Sequence, residues 1–535
     1  MSHTLLIVLV VVVSIAVLIN LLLELKRDLM MMQQNSYRIN RYMRWLRTSG
    51  DTTATYRIVA YFILLFAAAR FVSVYVSLAL IFVYSLWSVK SLIGHKYKKP
   101  LVWTPRACRI YLVTVILVAL FGLFVLMLPD SNSDSRLDYF IISLMVPFCA
   151  SHIICACAVW LLVPVEKAIN ARYYRDARRI LNSMPDMKVV AITGSYGKTS
   201  TKHYLHRILS ESYSVVMTPG SYNTTLGVIR TVREYIKPYT EVFICEMGAK
   251  QPGDIREICE LVHPNIGVVT AVGPQHLESF KSIENVQRTK FELVDSLPIG
   301  GLAVLNDDFE PIAERQVNNV DCRRYSVRFT DKVAYYARNI QYSSTGTTFT
   351  VVGFGIIEPL TLHTRLVGEC NVSNLIAAVI VAIYMKVPLE KIRYAVEKIE
   401  PVEHRLSMRR TPSGVVILDD AFNSNPAGSA MALDVLASMT DGKRIVVTPG
   451  MIELGERQHE LNYDFGAKIA VSADVAIIVG HYNRDAISSG IASVDDSLIE
   501  VHQVDSFAQA QTLLSILLQS GDTVLYENDL PDTFK

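Results

Sequence analysis

Four apolar blocks in the first 165 residues constrain the fold of this chain more than any other feature. The blocks cover residues 5–23, 58–89, 110–128 and 139–163. About 20 apolar residues are enough for a helix to cross the hydrocarbon core of a bilayer. The first block has no basic segment before it and no small-residue cleavage site, so we expect an anchor and not a removed signal peptide. The sequence therefore predicts an N-terminal helical transmembrane domain over residues 1–165.

Basic residues indicate how these blocks cross the membrane. They collect in three segments, residues 26–47, 90–106 and 167–179. The loop between the last two blocks holds only Arg136. Cytoplasmic loops are enriched in Lys and Arg, so the block at 58–89 is expected to cross and return near Arg70, giving about five spans. One long tilted helix there would give roughly four spans, but it would leave one basic loop outside.

The predicted location follows from this topology. We expect a multi-pass protein of the inner (cytoplasmic) membrane of a bacterium, with its catalytic domains in the cytoplasm. Residues 166–186 alternate apolar and basic side chains at roughly helical spacing. The pattern is typical of an amphipathic linker that lies on the membrane surface, and an ordinary surface helix fits it equally well.

Charge and cysteine content exclude two classes of protein. The net charge is only +2, so no global field would attract nucleic acid, and no nucleic-acid partner is expected. The eight cysteines form no CxxC pair, which is typical neither of a disulfide framework nor of a zinc site. Reduced cytosolic thiols fit this pattern best.

From Lys188 onward the chain has the pattern of an α/β protein. Short apolar runs alternate with helical stretches, and polar or acidic residues follow many of the runs, among them Glu246, His276, Asn306 and Asp420. In open parallel sheets, ligands bind beyond the carboxyl ends of the strands. One acidic residue after a strand is usually a turn or a helix cap, but the repetition predicts a site at this edge.

Two α/β domains are predicted in this part. Residues 327–359 are rich in Tyr, Thr and Val and suggest a small antiparallel subdomain. The chain changes domain near residues 398–406. We therefore predict a central P-loop ATP-binding domain with a parallel sheet over 187–402. A C-terminal Rossmann-like α/β domain is predicted over 403–535.

The stretch AITGSYGKTSTK, residues 191–202, runs from a predicted strand into a predicted helix. The strict pattern GxxxxGK[ST] would need glycine at position 192, where Ile192 stands, so the loop is the shorter GxxGKT. Its backbone N–H groups and the helix N-terminus would face phosphates, and its lysine would add a positive charge. The residues predicted to bind ATP here are Gly194, Ser195, Tyr196, Gly197, Lys198, Thr199 and Ser200.

A magnesium site is predicted next to this loop. Mg²⁺ needs hard oxygen ligands, and the hydroxyl of Thr199 can reach it. Glu246 closes a neighbouring strand and is the natural partner of Thr199. A lone histidine is more often structural, and the place of His276 after another strand end leaves a structural and a metal-binding role equally open.

Several ordered motifs resemble those of the Mur ligases over about residues 188–535. They include TGSYGKTSTK, SYNTTLGV, CEMGAKQPGDI, AVGPQHLESF, GECNVSNL, PVEHRL, LDDAFNSNP and GDTVLYENDLP. The resemblance implies an ATP-dependent amide ligase of cell-envelope or peptidoglycan-precursor synthesis. In that reaction a carboxylate attacks the γ-phosphate of ATP, and an amine then attacks the resulting acyl phosphate.

The resemblance also implies the substrates. The amine would be an amino acid or a dipeptide such as D-alanyl-D-alanine. The carboxylate acceptor would be a UDP-muramoyl-peptide or a lipid-linked carboxylate at the inner membrane face. ATP and Mg²⁺ are the implied cofactors, together with a carbamylated lysine.

Residue roles follow from the resemblance by motif position. The implied catalytic residues are Lys198, Lys290, His276 and Glu246. Thr199 and Glu246 would bind one Mg²⁺ and His276 a second, while Lys290 matches a lysine whose carbamate would supply oxygen ligands. Taken alone, Lys290 looks like a solvated helix lysine. The remaining implied contacts are Asn306 and Asn371 with adenine, Arg405 with phosphate, Asp420 with ribose, and Asn223, Thr224, Asn423 and Asn425 with substrate.

The chain departs from the family pattern in three places. Cys370 stands where the family often has histidine, and VTPGM at 447–451 stands where an aspartate usually precedes the methionine. The largest departure is at the front, where membrane spans replace the family's soluble substrate domain. This departure leaves the identity of the acceptor open.

Two other functions remain as alternatives. The chain could be a ligase that extends a different polymer, as polyglutamate or folate-type ligases do. It could also be a membrane protein whose nucleotide domain only senses or gates. The presence of Glu246, His276, Lys290 and Asp420 together favours a ligase, because a sensor would not need the full set.

Overall fold

The computed structural model describes the chain except for residues 1–2, 49–73, 96, 98, 130–138, 140–141, 144–145, 276, 344–345, 354–355, 357, 403, 422–423, 496 and 530–535. The described residues form two compact units. The first comprises the N-terminal 170 residues, and the second spans Ala171–Asp529.

The first unit is helical. Its described helices are α1 (His3–Gln34), α2 (Ile39–Thr48), α3 (Val74–Gly94), α4 (Pro105–Leu126) and α5 (Ser151–Asn182). Three stretches are long and apolar enough to cross a membrane: Ile7–Gln34, Pro105–Leu126 and Ser151–Asn182. Helix α3 belongs to the block at 58–89, but residues 58–73 lie outside the described part of the chain. The choice between four and five spans therefore stays a prediction.

Local chemistry explains where two of these helices begin and end. Thr104 caps α4, because its side chain accepts a hydrogen bond from the Ala107 N–H, and Pro105 occupies the first turn. Helix α5 contains Pro164 and continues to Asn182. Residues 166–182 of the predicted linker are thus a continuation of the helix formed by the last apolar block.

The second unit contains two sheets. The strands of the first are β1 (Lys188–Thr193), β2 (Val215–Met217), β3 (Val242–Glu246), β4 (Ile266–Val269), β5 (Leu302–Asn306), β6 (Asp321–Ser326), β7 (Tyr335–Ser343), β8 (Gly346–Gly353) and β9 (Leu360–Thr364). They lie in the order β2-β3-β1-β4-β5-β6-β7-β8-β9. The pairs from β2 through β7 are parallel, and β7-β8-β9 are antiparallel. The predicted parallel sheet is therefore present.

The antiparallel strands differ from the expected separate subdomain. They extend the edge of the parallel sheet, because β6 pairs in parallel with both β5 and β7. Tyr335 and Phe349 of these strands share one hydrophobic core with Val304 of β5. Continuous pairing and a shared core join them to the main sheet, which residue composition cannot reveal.

The second sheet lies in the C-terminal part of the unit. Its strands are β10 (Ser407–Arg410), β11 (Val416–Asp420), β12 (Arg444–Thr448), β13 (Val475–Val479), β14 (Glu500–Val504) and β15 (Thr523–Glu527). Their order is β10-β11-β15-β12-β13-β14, with only β10 antiparallel among these pairs. This is the Rossmann-like arrangement that the alternating pattern predicts.

Helices flank both sheets. The described helices of this unit are α6 (Lys198–Leu209), α7 (Thr225–Glu234), α8 (Asp254–Val262), α9 (Leu277–Phe280), α10 (Ile283–Asp295), α11 (Glu310–Ala313), α12 (Glu369–Tyr384), α13 (Leu389–Glu397), α14 (Pro426–Ala437), α15 (Gln458–Ser472), α16 (Arg484–Ala492) and α17 (Phe507–Leu517), with a short 3₁₀ turn at Gly455–Arg457.

Strand β1 shows why the first sheet is buried on both faces. Val190 and Ile192 belong to one core cluster, whereas Val189 and Ala191 belong to another. Successive side chains of a strand point to opposite faces, so both faces of this strand carry apolar side chains. Strand β1 also lies between β3 and β4, where chain connections diverge, which is the usual place for a ligand site in an open α/β sheet.

Candidate active site

The loop after β1 requires glycine at two positions. At Gly194 an added Cβ would lie 2.1 Å from Thr270 Oγ1, and at Gly197 it would lie 2.4 Å from Asn374 Oδ1. Gly197 also has a φ of 78°, which disfavours residues with a side chain, and it caps the N-terminus of α6. The backbone thus turns tightly into a helix N-terminus, a geometry suited to phosphate.

Hydrogen bonds hold this loop against the segment that follows β4. Ser195 Oγ donates to Gly273 O at 3.1 Å, and the Ser195 N–H donates to Ala271 O at 2.8 Å. The Tyr196 hydroxyl donates to Pro274 O at 3.1 Å. The loop therefore has a defined shape without a nucleotide, so little ordering entropy remains to be lost when phosphate binds.

Lys198 lies inside the loop. Its Nζ donates to Gly194 O at 2.6 Å and to Ser195 O at 3.2 Å. Burial lowers the pKa of Lys198 to about 8, Glu246 opposes the shift, and Arg405 adds to it. The ammonium group is therefore held by carbonyl oxygens only, and negatively charged phosphate oxygens would be stronger acceptors.

Glu246, at the end of β3, is the centre of a polar cluster. Thr199 Oγ1 lies 3.2 and 3.1 Å from its two carboxylate oxygens, and Asn223 Nδ2 donates to Oε1 at 3.0 Å. Lys202 Nζ forms an ion pair with Oε2 at 2.9 Å. Burial alone would raise the pKa of Glu246, but Lys202, Lys198 and the bond from Asn223 outweigh it, so the pKa is lowered. The carboxylate is therefore ionised and ready for a cation.

Lys290, in α10, is buried and not solvated, contrary to the reading of this residue taken alone. Burial lowers its pKa well below the usual value for lysine, and the charge of Lys198 lowers it further. Asp254 and Glu292 oppose the shift. A buried lysine of this kind holds a neutral amine much more readily than a surface lysine does.

Two asparagines brace the sheet edge on the other side of the loop. Asn306 Nδ2 donates to Thr270 O at 2.8 Å and to Ser373 Oγ at 3.1 Å. Asn371 accepts a hydrogen bond from the Tyr204 hydroxyl at 2.7 Å and donates to Val367 O at 2.8 Å. Both are buried, and both use their amide groups within the protein.

Residues of the C-terminal part reach the same region. Arg405 interacts electrostatically with Asp420 and Glu246, which links the second sheet to the phosphate loop. Burial raises the pKa of Asp420 to about 6, while Arg405 and the Leu406 N–H oppose the shift. The Leu406 N–H donates to Asp420 Oδ1 at 3.0 Å.

The remaining predicted residues have other contacts. Thr224 caps α7 by accepting from the Gly227 N–H, and Asn425 caps α14 by accepting from the Gly428 N–H. Ser200 is buried in the first turn of α6. His276 and Asn423 lie outside the described residues. The roles assigned to all these positions remain predictions.

Sequence reasoning missed Lys202. It lies one helical turn after Lys198 and one residue short of a turn after Thr199, so helical spacing puts the three on neighbouring parts of one face. That signal was present in TGSYGKTSTK, but the spacing alone could not show that the ammonium group meets Glu246. Among the described residues, no three His, Cys, Asp or Glu side chains come together as a ready cation cage.

Two protein-family models match the chain. The Mur ligase middle domain matches residues 192–382, and the Mur ligase, glutamate ligase domain matches residues 404–526. The UDP-N-acetylmuramoyl-tripeptide--D-alanyl-D-alanine ligase of Escherichia coli (strain K12) is 30% identical over 348 residues, which cover 64% of this chain and 75% of that protein. The ligase of the same name from Bacillus subtilis (strain 168) is 28% identical over 344 residues, covering 64% and 72%.

Solved structures share the fold. MurF from Acinetobacter baumannii aligns with a TM-score of 0.61 and 23% identity over 67% of this chain and 77% of that one. MurF from Thermotoga maritima in complex with ADP aligns with a TM-score of 0.59 and 23% identity, covering 67% and 80%.

The chain therefore belongs to the Mur ligase family. It is an ATP-dependent ligase that forms a carbon–nitrogen bond, and ATP and Mg²⁺ are its cofactors. The resemblance inferred from the motifs is confirmed, as is the α/β fold class with its two Mur ligase domains.

Proposed function

We propose that this chain joins D-alanyl-D-alanine to the terminal carboxylate of a UDP-N-acetylmuramoyl-tripeptide, at the inner face of a bacterial membrane. The proposal is carried by one observation: the Glu246 cluster, in which the phosphate-loop helix, the metal carboxylate and Asn223 meet within hydrogen-bond distance. The named activity of the E. coli and B. subtilis relatives supplies the substrates.

The loop residues would bind and orient the nucleotide. Gly194 and Gly197 leave room for the terminal phosphates, and the N–H groups at the start of α6 point toward them. Lys198 would exchange two carbonyl acceptors for phosphate oxygens. Positive charge on the phosphoryl group that is transferred is the main catalytic contribution in chemistry of this kind.

The donor set at Glu246 fits Mg²⁺. The hydroxyl of Thr199 and the carboxylate of Glu246 are hard oxygen donors, and the ion usually takes one or two such protein groups together with phosphate oxygens. His276 is proposed for a second ion by its motif position. Bound Mg²⁺ would neutralise negative charge on the phosphates and lower the barrier to attack by the carboxylate.

Lys290 is proposed as a carbamylated residue. Its burial favours the neutral amine, and only a neutral amine can add its lone pair to CO₂. The N–C bond forms and one proton leaves, so a cation becomes an anion with two oxygen donors. That anion would suit a site near Lys198 that also binds Mg²⁺.

The remaining sites are proposed from motif positions. Asn306 and Asn371 would contact adenine, Arg405 a phosphate and Asp420 the ribose. Asn223, Thr224, Asn423 and Asn425 would contact the acceptor or the amine. Exclusion of water by the residues of the C-terminal domain would protect the acyl phosphate from hydrolysis.

A membrane location is proposed for residues 1–165, with a linker at 166–186, a central domain at 187–402 and a C-terminal domain at 403–535. Support comes from the apolar side chains that the first unit exposes. Trp160, Phe124 and Trp87 expose 67%, 64% and 60% of their surfaces. Such surfaces are costly in water and ordinary in contact with lipid.

The test is amide formation by the purified full-length protein in detergent or nanodiscs, with ATP and Mg²⁺. ADP release should depend on both UDP-N-acetylmuramoyl-tripeptide and D-alanyl-D-alanine, and Lys198→Ala should abolish it. Activity only with a lipid-linked acceptor, or only with glutamate as the amine, would replace the proposed substrates. ATP turnover indifferent to every acceptor, and retained in Lys198→Ala, would refute the ligase assignment at this site.

A further inference from the structure

Lys202 is buried in the phosphate-loop helix and contacts two other elements of the site. Its side chain is 0% exposed, and Glu246, its partner, is 1% exposed. Nζ lies 2.9 Å from Glu246 Oε2 and donates to Gly220 O at 2.6 Å. One ammonium group therefore connects α6, the end of β3 and the segment 218–224.

The segment 218–224, here the acceptor loop, is attached to Glu246 at further points. Asn223 Nδ2 donates to Glu246 Oε1, and the Glu246 N–H donates to Thr218 Oγ1 at 3.1 Å. The Gly248 N–H donates to Asn223 O at 2.7 Å. The position of this loop is thus set by the same carboxylate that Lys202 binds.

Charges around Glu246 are unbalanced before a nucleotide arrives. Lys202, Lys198 and Arg405 all interact electrostatically with this one carboxylate. An excess of positive charge in a poorly solvated site opposes the binding of a bare divalent cation. The phosphates of ATP would reverse that balance, so the metal would enter with the nucleotide.

We propose that Lys202 is a positioning residue that acts on both sides of the site: its ammonium group serves as the counter-ion of Glu246 until nucleotide-bound metal arrives, and it ties the acceptor loop to that carboxylate. The inference rests on the proposed function of the site and adds an order of binding, metal with nucleotide, to it. A buried carboxylate needs such a partner, because an uncompensated buried charge is strongly destabilising.

This role makes a prediction with two opposite signs. Lys202→Met removes the charge and keeps most of the apolar volume, so Mn²⁺ should bind without nucleotide at least about tenfold more tightly than in the unmodified protein, the effect of one hydrogen bond to a charged group. The acceptor loop should become less protected, and the KM for UDP-N-acetylmuramoyl-tripeptide should rise by a similar factor. A merely structural loss would weaken both.

The experiment uses the full chain and three variants. Free Mn²⁺ is measured by electron paramagnetic resonance with and without AMP-PNP, and the protection of residues 218–224 by hydrogen exchange. Lys202→Arg keeps the charge and should restore weak nucleotide-free Mn²⁺ binding. Lys237→Met is the matched control, since Lys237 contacts only the Glu234 carbonyl among the printed hydrogen bonds of the described residues and lies on the surface.

Each outcome decides the matter. Unchanged or weaker Mn²⁺ binding in Lys202→Met, or unchanged protection of the acceptor loop, would overturn the proposal. If Lys202→Met fails to bind AMP-PNP, Lys202→Gln is measured and judged by the same two criteria. The metal and exchange measurements need no acceptor, so failure of the proposed substrates would appear separately, as absent turnover in the unmodified protein.

Discussion

Gly197→Ala tests whether the phosphate loop is built around the absence of a side chain. The φ of 78° is left-handed, and a Cβ there would lie 2.4 Å from Asn374 Oδ1, the acceptor of a 3.2 Å hydrogen bond from Thr201. Left-handed backbone costs a residue with a side chain about 1–2 kcal/mol. Displacement of Asn374 would add about 0.5–1.5 kcal/mol for the weakened hydrogen bond.

The sum, about 1.5–3.5 kcal/mol, opposes the loop conformation that receives phosphate. If the altered loop relaxes when empty and regains this shape on binding, the Kd for AMP-PNP should rise by roughly 10- to 400-fold. Isothermal titration calorimetry of the full-length protein measures this directly. The matched control is Gly480→Ala, which has a nearly equal φ of 79° and nothing within 4 Å of the added Cβ.

Gly480 follows β13 in the second sheet, so the control carries the backbone cost without the clash. We expect it to lower the unfolding midpoint slightly and to leave the Kd for AMP-PNP unchanged. A Kd for Gly197→Ala within about twofold of the unmodified protein would refute the reasoning. So would an equal loss of affinity in Gly480→Ala, because the effect would then not originate in the loop.

Three further predictions concern charge and hydrogen bonding at the site. Because burial lowers the pKa of Lys198 to about 8, metal-free AMP-PNP affinity should be constant below that pH and fall about tenfold per unit above it, as the free amine loses its proton. Lys198→Arg stays charged, so a parallel fall in this variant would contradict the assignment. Asn306→Ala leaves Thr270 O without its 2.8 Å donor and should lower the unfolding midpoint, in keeping with a cost of about 1–3 kcal/mol. An unchanged midpoint in differential scanning calorimetry would show that Asn306 does not brace the strand ends. If Lys290 carries a carbamate, CO₂-free buffer should lower ligase activity and bicarbonate should restore it, whereas Lys290→Gln should be inactive in both. Activity insensitive to CO₂, with no extra 44 Da on intact-mass analysis at alkaline pH, would exclude the modification.

Local signals were enough to place the phosphate loop. The apolar run at β1, two glycines, a lysine and a following helix pattern are all short-range features, and their conformation depends mainly on backbone sterics and helix-end hydrogen bonding. The same holds for Glu246, which is the last residue of its strand. In each case the residue type and its immediate neighbours carry the information.

Longer-range relations were not readable in this way. The strands at 335–364 have an antiparallel composition, but only their pairing shows that they extend the main sheet. Lys290 looks like a surface lysine in RTKFEL, yet the fold buries it. Burial depends on what packs over a helix face, and that is supplied by residues far away in the chain.

The sequence by itself determined the class of protein: an apolar N-terminal part, a phosphate loop, and the ordered motifs of the Mur ligases. Only the tertiary structure decided how the charges meet. Lys202 and Glu246 are 44 residues apart, and pairing them requires α6 and the end of β3 to lie side by side. Motifs specify residue types and local backbone, whereas the distance between two charges, and the water excluded from between them, depend on the packing of the whole sheet.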